Sequence, residues 1–131
     1  MPNKILLVDD DEDDRLLFTD ALNELYDSLE CEEANNGVEA LKTLNSMPEL
    51  PNIIFLDLNM PKMNGYDCLS ELRKETRYDE IPVVIYTTCN IKSESERLLK
   101  YGAKYFFTKP SDYLVLKQEL RKILEAELHP S

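Results

Sequence analysis

Short apolar runs recur along this chain, and each of them ends in polar residues. The four clearest examples are Ile5–Val8 before Asp9 and Asp10, Ile53–Leu56 before Asp57, Val83–Tyr86 before Thr87, and Tyr105–Phe107 before Thr108, Lys109 and Pro110. Runs of this length that lack alternating polar positions are typical of strands buried on both faces. Such strands belong to a parallel sheet with helices packed on both sides.

Helical periodicity fills the intervals between these runs. Helices are predicted up to about Leu25, over Gly37–Leu44, over about Gly65–Lys74, near Ser93–Tyr101, and over about Asp112–Leu128. The inward-facing residues are predicted to be Leu17, Ala21 and Leu25, with Phe18, Leu22 and Tyr26 beside them, and Leu116, Leu120, Ile123 and Leu124 in the last helix. The charged segment Leu29–Ala34 is predicted to be an edge strand, and the polar segment Glu75–Ile81 a connection.

This order of elements predicts five βα units in a single domain. We expect residues 1–131, with a core over about residues 4–128, to form an α/β doubly wound, three-layer sandwich. In the flavodoxin-like version of this fold the strand order is 2-1-3-4-5, and ligands bind at the switch point between strands one and three. Asp9, Asp10 and Asp57 follow those two strands.

Composition narrows the possible partners and the compartment. Fifteen basic and 26 acidic residues give a formal net charge of −11, which argues against nucleic acid and against an anionic membrane surface. No segment approaches the roughly 20 apolar residues of a membrane helix, and the N-terminus leads directly into the first strand. Three cysteines without a Cys-x-x-Cys motif indicate free thiols and a cytoplasmic protein. The only histidine, His129, lies in the C-terminal tail, which argues against a zinc site.

The residues after the strands define a candidate chemistry, because parallel strands end at one shared edge of the sheet. The converging residues are Asp9, Asp10, Asp57, Thr87 and Lys109. Carboxylates held close together require a cation, and hard oxygen ligands suit Mg²⁺. The backbone carbonyl of Asn59 can turn back toward the same ion. A carboxylate nucleophile at Asp57, a divalent cation, the Lys109 ammonium and the Thr87 hydroxyl together suit phosphoryl transfer. The remaining acids, Asp11–Asp14, are explained by a helix N-terminus.

The chain resembles the receiver domains of response regulators of the CheY-like kind. The residues that carry this resemblance are Val8-Asp9-Asp10, Asp57-Leu58-Asn59-Met60-Pro61, Asn64-Gly65, Thr87 and Lys109-Pro110. The resemblance implies that Asp57 accepts a phosphoryl group from a sensor histidine kinase or phosphotransfer protein. It also implies that Asp10, Asp57 and the Asn59 carbonyl bind Mg²⁺ or Mn²⁺, while Asp9 acts mainly through metal-bound water.

The resemblance extends to the output of the domain. It implies a signalling role rather than an enzymatic one, although such a domain can catalyse its own phosphorylation and dephosphorylation. Thr87 and Phe106 are expected to act as a switch that repacks helix four, strand five and helix five, where an effector protein would bind. The Lys109–Pro110 bond is expected to be cis. Two positions depart from the family pattern: Thr88 is larger than usual, and Phe106 lacks the hydroxyl of the more common tyrosine. Cys89 lies in the same loop.

Other functions stay open on the sequence alone. A phosphorelay intermediate would use the same residues. A metal-dependent phosphatase with an aspartate nucleophile needs a second acid two residues later, where this chain has Asn59. A flavin module would bind phosphate after strand one, where six consecutive acids would repel it. A receiver kept only as an interaction module is disfavoured, since the acids, Thr87 and Lys109 are all present.

Overall fold

Strands and helices alternate along the chain in the computed structural model. The structure describes residues 3–58, 60, 62–87 and 95–128. Within these residues the elements are β1 (Lys4–Val8), α1 (Glu12–Leu25), β2 (Glu30–Ala34), α2 (Gly37–Ser46), β3 (Ile53–Leu56), α3 (Gly65–Lys74), a 3₁₀ turn (Thr76–Tyr78), β4 (Val83–Thr87), α4 (Ser95–Lys100), β5 (Tyr105–Thr108) and α5 (Tyr113–Leu128). No helix in these ranges is long and apolar enough to cross a membrane.

The strands form one parallel sheet in the order β2-β1-β3-β4-β5. The predicted fold class and strand order are therefore confirmed. The charged strand β2 lies at an edge, as its glutamates indicate. β1 and β3 are neighbours, and Val8 is paired with Leu56 at their carboxyl ends. The switch point of the sheet therefore lies directly beyond these two residues.

The core has two layers because successive residues of each buried strand point to opposite faces of the sheet. Leu6 and Ile54 pack on the face covered by α2 and α3. Ile5 and Ile53 pack on the face covered by α1 and α5. The central strands are completely or almost completely buried on both faces, which fixes their registers and hence the positions of the residues that follow them.

The buried stripe of α1 differs from the predicted one mainly at Leu17, while Leu25 and Tyr26 are partly buried against the core. Phe18, Ala21 and Leu22 are buried, whereas 47% of Leu17 is exposed. Neighbouring helical residues are rotated by about 100° from each other, so a helix that directs Phe18 at the sheet turns Leu17 toward its rim. In α5 the four residues predicted to face inward are all buried.

The segment Glu75–Ile81 contains structure that its polarity does not indicate. It includes a 3₁₀ turn, and Tyr78 within that turn is only 2% exposed. The Tyr78 hydroxyl donates a hydrogen bond to Oδ1 of Asn45 at 2.8 Å. One aromatic residue in a polar run gives no periodic signal, so the sequence did not indicate this turn.

Arg73, in the last turn of α3, is bonded to backbone carbonyls from several segments. Its guanidinium donates to the carbonyl oxygens of Tyr78 at 3.0 Å, Asp79 at 3.3 Å, Ile81 at 3.2 Å and Gly102 at 3.0 Å. These contacts, called the Arg73 clamp below, join α3, the 3₁₀ turn and the connection between α4 and β5. The clamp lies at the amino end of the sheet, because the segments that it joins lead into β4 and β5.

Candidate phosphoacceptor and metal site

The carboxyl ends of β1 and β3 continue their hydrogen-bonding pattern for one residue beyond each strand. Asp9 donates its backbone N–H to the carbonyl of Ala34 at 3.0 Å, and Asp57 donates its own to the carbonyl of Val8 at 2.9 Å. These bonds fix both backbones at the edge of the sheet. Asp9 and Asp57 consequently start side by side from two neighbouring strands.

Three of the predicted carboxylates meet at this edge. Oxygen atoms of Asp9, Asp10 and Asp57 lie within 4.8 Å of one another. Asp9 is completely buried and Asp57 is 5% exposed, whereas Asp10 faces solvent. Negative charges held this close in a partly buried site repel one another strongly, so the arrangement requires positive charge nearby.

Lys109 supplies positive charge from the end of β5. Its Nζ lies 2.7 Å from Oδ2 of Asp9, 2.9 Å from Oδ2 of Asp14 and 3.1 Å from Oδ2 of Asp57. Burial alone would lower the pKa of Lys109. Hydrogen bonds to Asp9 and Asp14 and the charge of Asp57 outweigh burial, and the pKa is raised above its ordinary value. Lys109 is therefore a permanent ammonium at neutral pH.

The Lys109–Pro110 peptide bond is trans, because the structure contains no cis peptide bond among the described residues. The expectation of a cis bond at Pro110 was wrong. Lys109 donates its backbone N–H to the carbonyl of Thr87 at 2.7 Å, and from that anchor its side chain reaches Asp9 and Asp57 directly. The turn therefore needs no departure from the ordinary trans preference.

Asp14 belongs to this site although the sequence indicated only a helix-terminal role for it. Its carboxylate is bonded to Lys109 at 2.9 Å. Asp11, by contrast, has the expected structural role, since it caps α1 by accepting hydrogen bonds from the N–H groups of Asp13 and Asp14. The place of Asp14 in the first turn of α1, five residues after Asp9, was the available signal that it could reach the same edge.

Tyr86 is a second site residue that sequence reasoning missed, since its place in an apolar run suggested packing alone. It is 2% exposed, and its hydroxyl donates a hydrogen bond to Oδ2 of Asp9 at 3.1 Å. The Lys109 ammonium lies 4.7 Å from the centre of the Tyr86 ring, within the range of a cation–π contact. Tyr86 therefore contacts both members of the buried Asp9–Lys109 pair.

The loop after Asp57 packs closely against its backbone. Asn64 caps α3 by accepting a hydrogen bond from the N–H of Asp67 at 2.9 Å. Gly65 donates to the carbonyl of Leu58 at 2.9 Å, and a Cβ atom at this position would lie 2.5 Å from the carbonyl oxygen of Asp57. Glycine at position 65 is therefore a steric requirement of the site.

The two predicted switch residues lie on one face of the sheet. Thr87 ends β4 and is completely buried. Phe106 is paired with Ile85 in the neighbouring strand and packs, half-buried, against the core layer under α2 and α3. Thr87 is therefore a diagonal neighbour of Phe106. Asn59, Thr88, Cys89 and His129 lie outside the described residues.

The donor set suits a hard divalent cation. Carboxylates are ligands that Mg²⁺ and Mn²⁺ prefer, and the acidic cluster offers three of them within 4.8 Å. Exposed Asp10 leaves one side open to solvent, which suits ions that keep several water ligands. The residues present therefore fit the cation that the sequence predicted.

The fold and the residues at the carboxyl edge of the sheet together define a class of signalling protein. A parallel sheet in the order 2-1-3-4-5 has, at its switch point, an aspartate at the end of β3, two acids after β1 and a lysine after β5. The chain matches the response regulator receiver domain over residues 5–121, and it belongs to that family. The CheY-like resemblance stated from the sequence is confirmed, and with it a place among two-component response regulators.

Individual relatives agree with this assignment. The chain is 35% identical over 122 residues to the chemotaxis protein CheY1 of Helicobacter pylori, and the match covers 92% of this chain and 96% of that protein. The phosphorylated cyanobacterial phytochrome response regulator RcpA is similar in structure, with a TM-score of 0.90, 27% identity and coverage of 100% and 97% of the two chains. The Mn²⁺-bound response regulator Rcp1 gives a TM-score of 0.86 at 27% identity, over 99% and 97%.

Proposed function

We propose that this protein is a phosphoacceptor whose Asp57 receives a phosphoryl group from a sensor histidine kinase or a phosphotransfer protein. The observation that carries the proposal is the shared ammonium of Lys109, 3.1 Å from Asp57 and 2.7 Å from Asp9. A fixed cation beside a nearly buried carboxylate at a solvent-facing edge suits an incoming phosphoryl group. Family membership and the phosphorylated state of RcpA support the same role.

The transfer exchanges one bond to phosphorus for another. An oxygen of the Asp57 carboxylate forms the new P–O bond while the P–N bond of the donor phosphohistidine breaks. The imidazole leaves with the electron pair of that bond, and a proton from solvent neutralises it. Lys109 then has a phosphoryl oxygen within reach of the position where it now contacts Asp57, and the Thr87 hydroxyl bonds a second oxygen.

A divalent cation, Mg²⁺ or Mn²⁺, would be held by Asp10, Asp57 and the backbone carbonyl of Asn59. Asp9 would act mainly through water bound to the ion. When bound, the cation screens the clustered acids and neutralises charge on the transferring group. The Mn²⁺-bound form of Rcp1 supports this assignment.

The output that we propose is binding of an effector protein in the cytoplasm. In this proposal the protein acts as a signalling domain rather than as an enzyme. Thr87 is drawn toward the phosphoryl group, and Phe106 packs into the space that it leaves. The face formed by α4, β5 and α5 would change shape and bind the effector. An exposed surface of α5 that includes Leu114 and Val115 is consistent with contacts to another protein.

The assignment of Asp57 can be tested with a small phosphodonor such as acetyl phosphate and mass spectrometry of the intact protein. The unaltered protein and Asp67→Asn, a matched change ten residues away on α3, should each gain one phosphoryl group. Asp57→Asn should gain none. Equal uptake by Asp57→Asn would contradict the proposal, because another residue would then be the acceptor.

A further inference from the structure

Tyr86 is an unusual residue to find at the floor of an acidic site. Its ring lies in the core layer between the sheet, α1 and α5, with ring centres 5.5 Å from Phe18 and 5.6 Å from Phe107. Packing explains the ring but not the hydroxyl, which is buried with it and points to Asp9. A phenylalanine would pack equally well at this position, so the hydroxyl requires its own explanation.

The hydrogen bonds of Asp9 show what the hydroxyl could do. Within the described part of the chain, Oδ1 accepts from the backbone N–H of Asp11 at 2.9 Å. Oδ2 accepts from Lys109 at 2.7 Å and from Tyr86 at 3.1 Å. Lys109 and Tyr86 therefore share a single carboxylate oxygen, one as a charged donor and the other as a neutral donor.

The two donors differ in how firmly their surroundings hold them. Tyr86 is 2% exposed, and its hydroxyl is buried with the ring against Asp9. The surrounding aromatic rings fix its direction. Lys109, by contrast, has a long side chain that is also bonded to Asp14 and Asp57, and it can change partners without leaving the site.

We propose that Tyr86 is a positioning residue that holds the Asp9 carboxylate when Lys109 turns toward the phosphoryl group on Asp57. This inference rests on the proposed phosphoacceptor function. Before phosphorylation, Asp9 is held by both donors, and the hydroxyl is partly redundant. After phosphorylation the ammonium is shared with a phosphoryl oxygen, and Tyr86 becomes the main side-chain donor that keeps Asp9 oriented toward the metal-bound water.

The role predicts an effect that depends on the state of the site. Loss of a group that orients metal-site residues typically weakens affinity by roughly 10- to 100-fold. Tyr86→Phe should therefore bind beryllofluoride, a phosphoryl mimic, about tenfold more weakly in the presence of Mg²⁺. Its affinity for Mg²⁺ alone should change by less than about twofold, since Lys109 still holds Asp9 in that state.

Both affinities can be measured by NMR titration of labelled protein. Tyr78→Phe is the matched control, because it removes a hydrogen-bonded hydroxyl from an equally buried tyrosine at the opposite end of the sheet. Both of its affinities should equal those of the unaltered protein. Unchanged beryllofluoride affinity in Tyr86→Phe would overturn the inference, as would an equal loss of both affinities, which would indicate a general structural role.

A measurement on the unaltered protein avoids dependence on the variant. The Cζ resonance of Tyr86 reports on its hydroxyl and should shift when beryllofluoride binds, while that of Tyr78 should not. Identical behaviour of the two resonances would overturn the inference. If the unaltered protein fails to bind beryllofluoride, the proposed function falls and this inference with it, whereas normal binding without the Tyr86 effects removes the inference alone.

Discussion

The two ends of the sheet each depend on one basic side chain with several partners, but the partners differ in charge. At the amino end the Arg73 clamp donates to four neutral carbonyl groups. At the carboxyl end Lys109 contacts three carboxylates, and exposed Asp10 stands beside two of them. The first set gives one charged donor to several neutral backbone carbonyl groups. The second leaves an excess of negative charge.

This difference separates a structural device from a functional one. Neutral acceptors around a guanidinium need nothing further, so the Arg73 clamp should contribute to stability whatever is bound elsewhere. One ammonium does not neutralise several carboxylates, so this group of charges is balanced only when more positive charge is present. The carboxyl end should therefore respond to cations and phosphoryl groups, and the amino end should not.

The largest expected effect is at the carboxyl end and follows from removal of divalent cations. Excess chelator should slow phosphorylation by acetyl phosphate by about 100-fold or more, since a metal ion contributes several kcal/mol to the stabilisation of transferring charge. The measurement is the initial rate followed by mass spectrometry, with and without added Mg²⁺. An undiminished rate in excess chelator would contradict the metal site, and so would an Asp10→Ala variant that binds Mg²⁺ normally.

The next largest effect concerns the amino end. Arg73→Met should lower the free energy of unfolding by about 2–4 kcal/mol, because it leaves several carbonyl groups without a charged donor. Urea unfolding measures this change. Lys74→Met is the matched control, since Lys74 is exposed and its ion pair with Glu71 is at the surface, so this variant should lose less than about 1 kcal/mol of stability.

If the amino end of the sheet has only a structural role, Arg73→Met should still be phosphorylated. Under conditions in which Arg73→Met is folded, it should retain Mg²⁺-dependent phosphorylation at a rate close to that of the unaltered protein. If Arg73→Met proved as stable as Lys74→Met, or folded normally but lost phosphorylation, the two ends would not divide structure from function as we infer.

A smaller effect at the amino end depends on pH. Glu127 lies 2.6 Å from the Lys104 ammonium and accepts a hydrogen bond from Tyr105. Burial raises the pKa of Glu127, but these two contacts outweigh it, and the pKa is lowered below 4.5. A carboxyl whose pKa is lower when folded stabilises the protein above its unfolded pKa. That contribution is lost as the pH falls through the folded value.

Glu127→Gln should therefore be less stable than the unaltered protein at pH 7, by less than about 1 kcal/mol because Lys104 is largely exposed. The difference should shrink below about pH 4.5. Urea midpoints of the two proteins, measured in parallel from pH 7 to pH 3, check this. A difference that stays constant over the range would show that the ionised form of Glu127 is not what matters.

The smallest effect is a shift of populations on the output face. Phe106 can fill space beside Thr87, but it lacks a hydroxyl that would hold either position, so we expect an appreciable active-like population before phosphorylation. Amide NMR with and without beryllofluoride should show changes at Tyr101 and Tyr105, and none at Tyr78. Changes limited to the loop around Asp57 would indicate that the signal leaves by another face.

The sequence predicts most of this molecule because its central strands β1, β3 and β4 are short, buried and almost uniformly apolar. Runs such as Ile53–Leu56 determine the sheet, and the residues that follow them determine the site. The errors come from residues whose roles depend on tertiary contacts. Tyr78 and Tyr86 look like isolated aromatics in their segments, and only the fold shows which polar groups their hydroxyls meet. In the sequence, Asp14 looks like an ordinary acid of a first helical turn, and its contact with Lys109, 95 residues away, is visible only in the fold.

The Arg73 clamp has a consequence for motion. Its bond to Gly102 closes a loop that contains β4 and α4. In the described part of helix α4, Leu99 and Lys100 are exposed, and residues with few buried contacts open locally at a low free energy, so this part of α4 should open and re-form more easily than the strands around it. Since the clamp holds Gly102, just past the end of α4, such local opening need not spread into β5. In hydrogen exchange, α4 would behave as a separate cooperative unit, free to rearrange while the sheet stays protected.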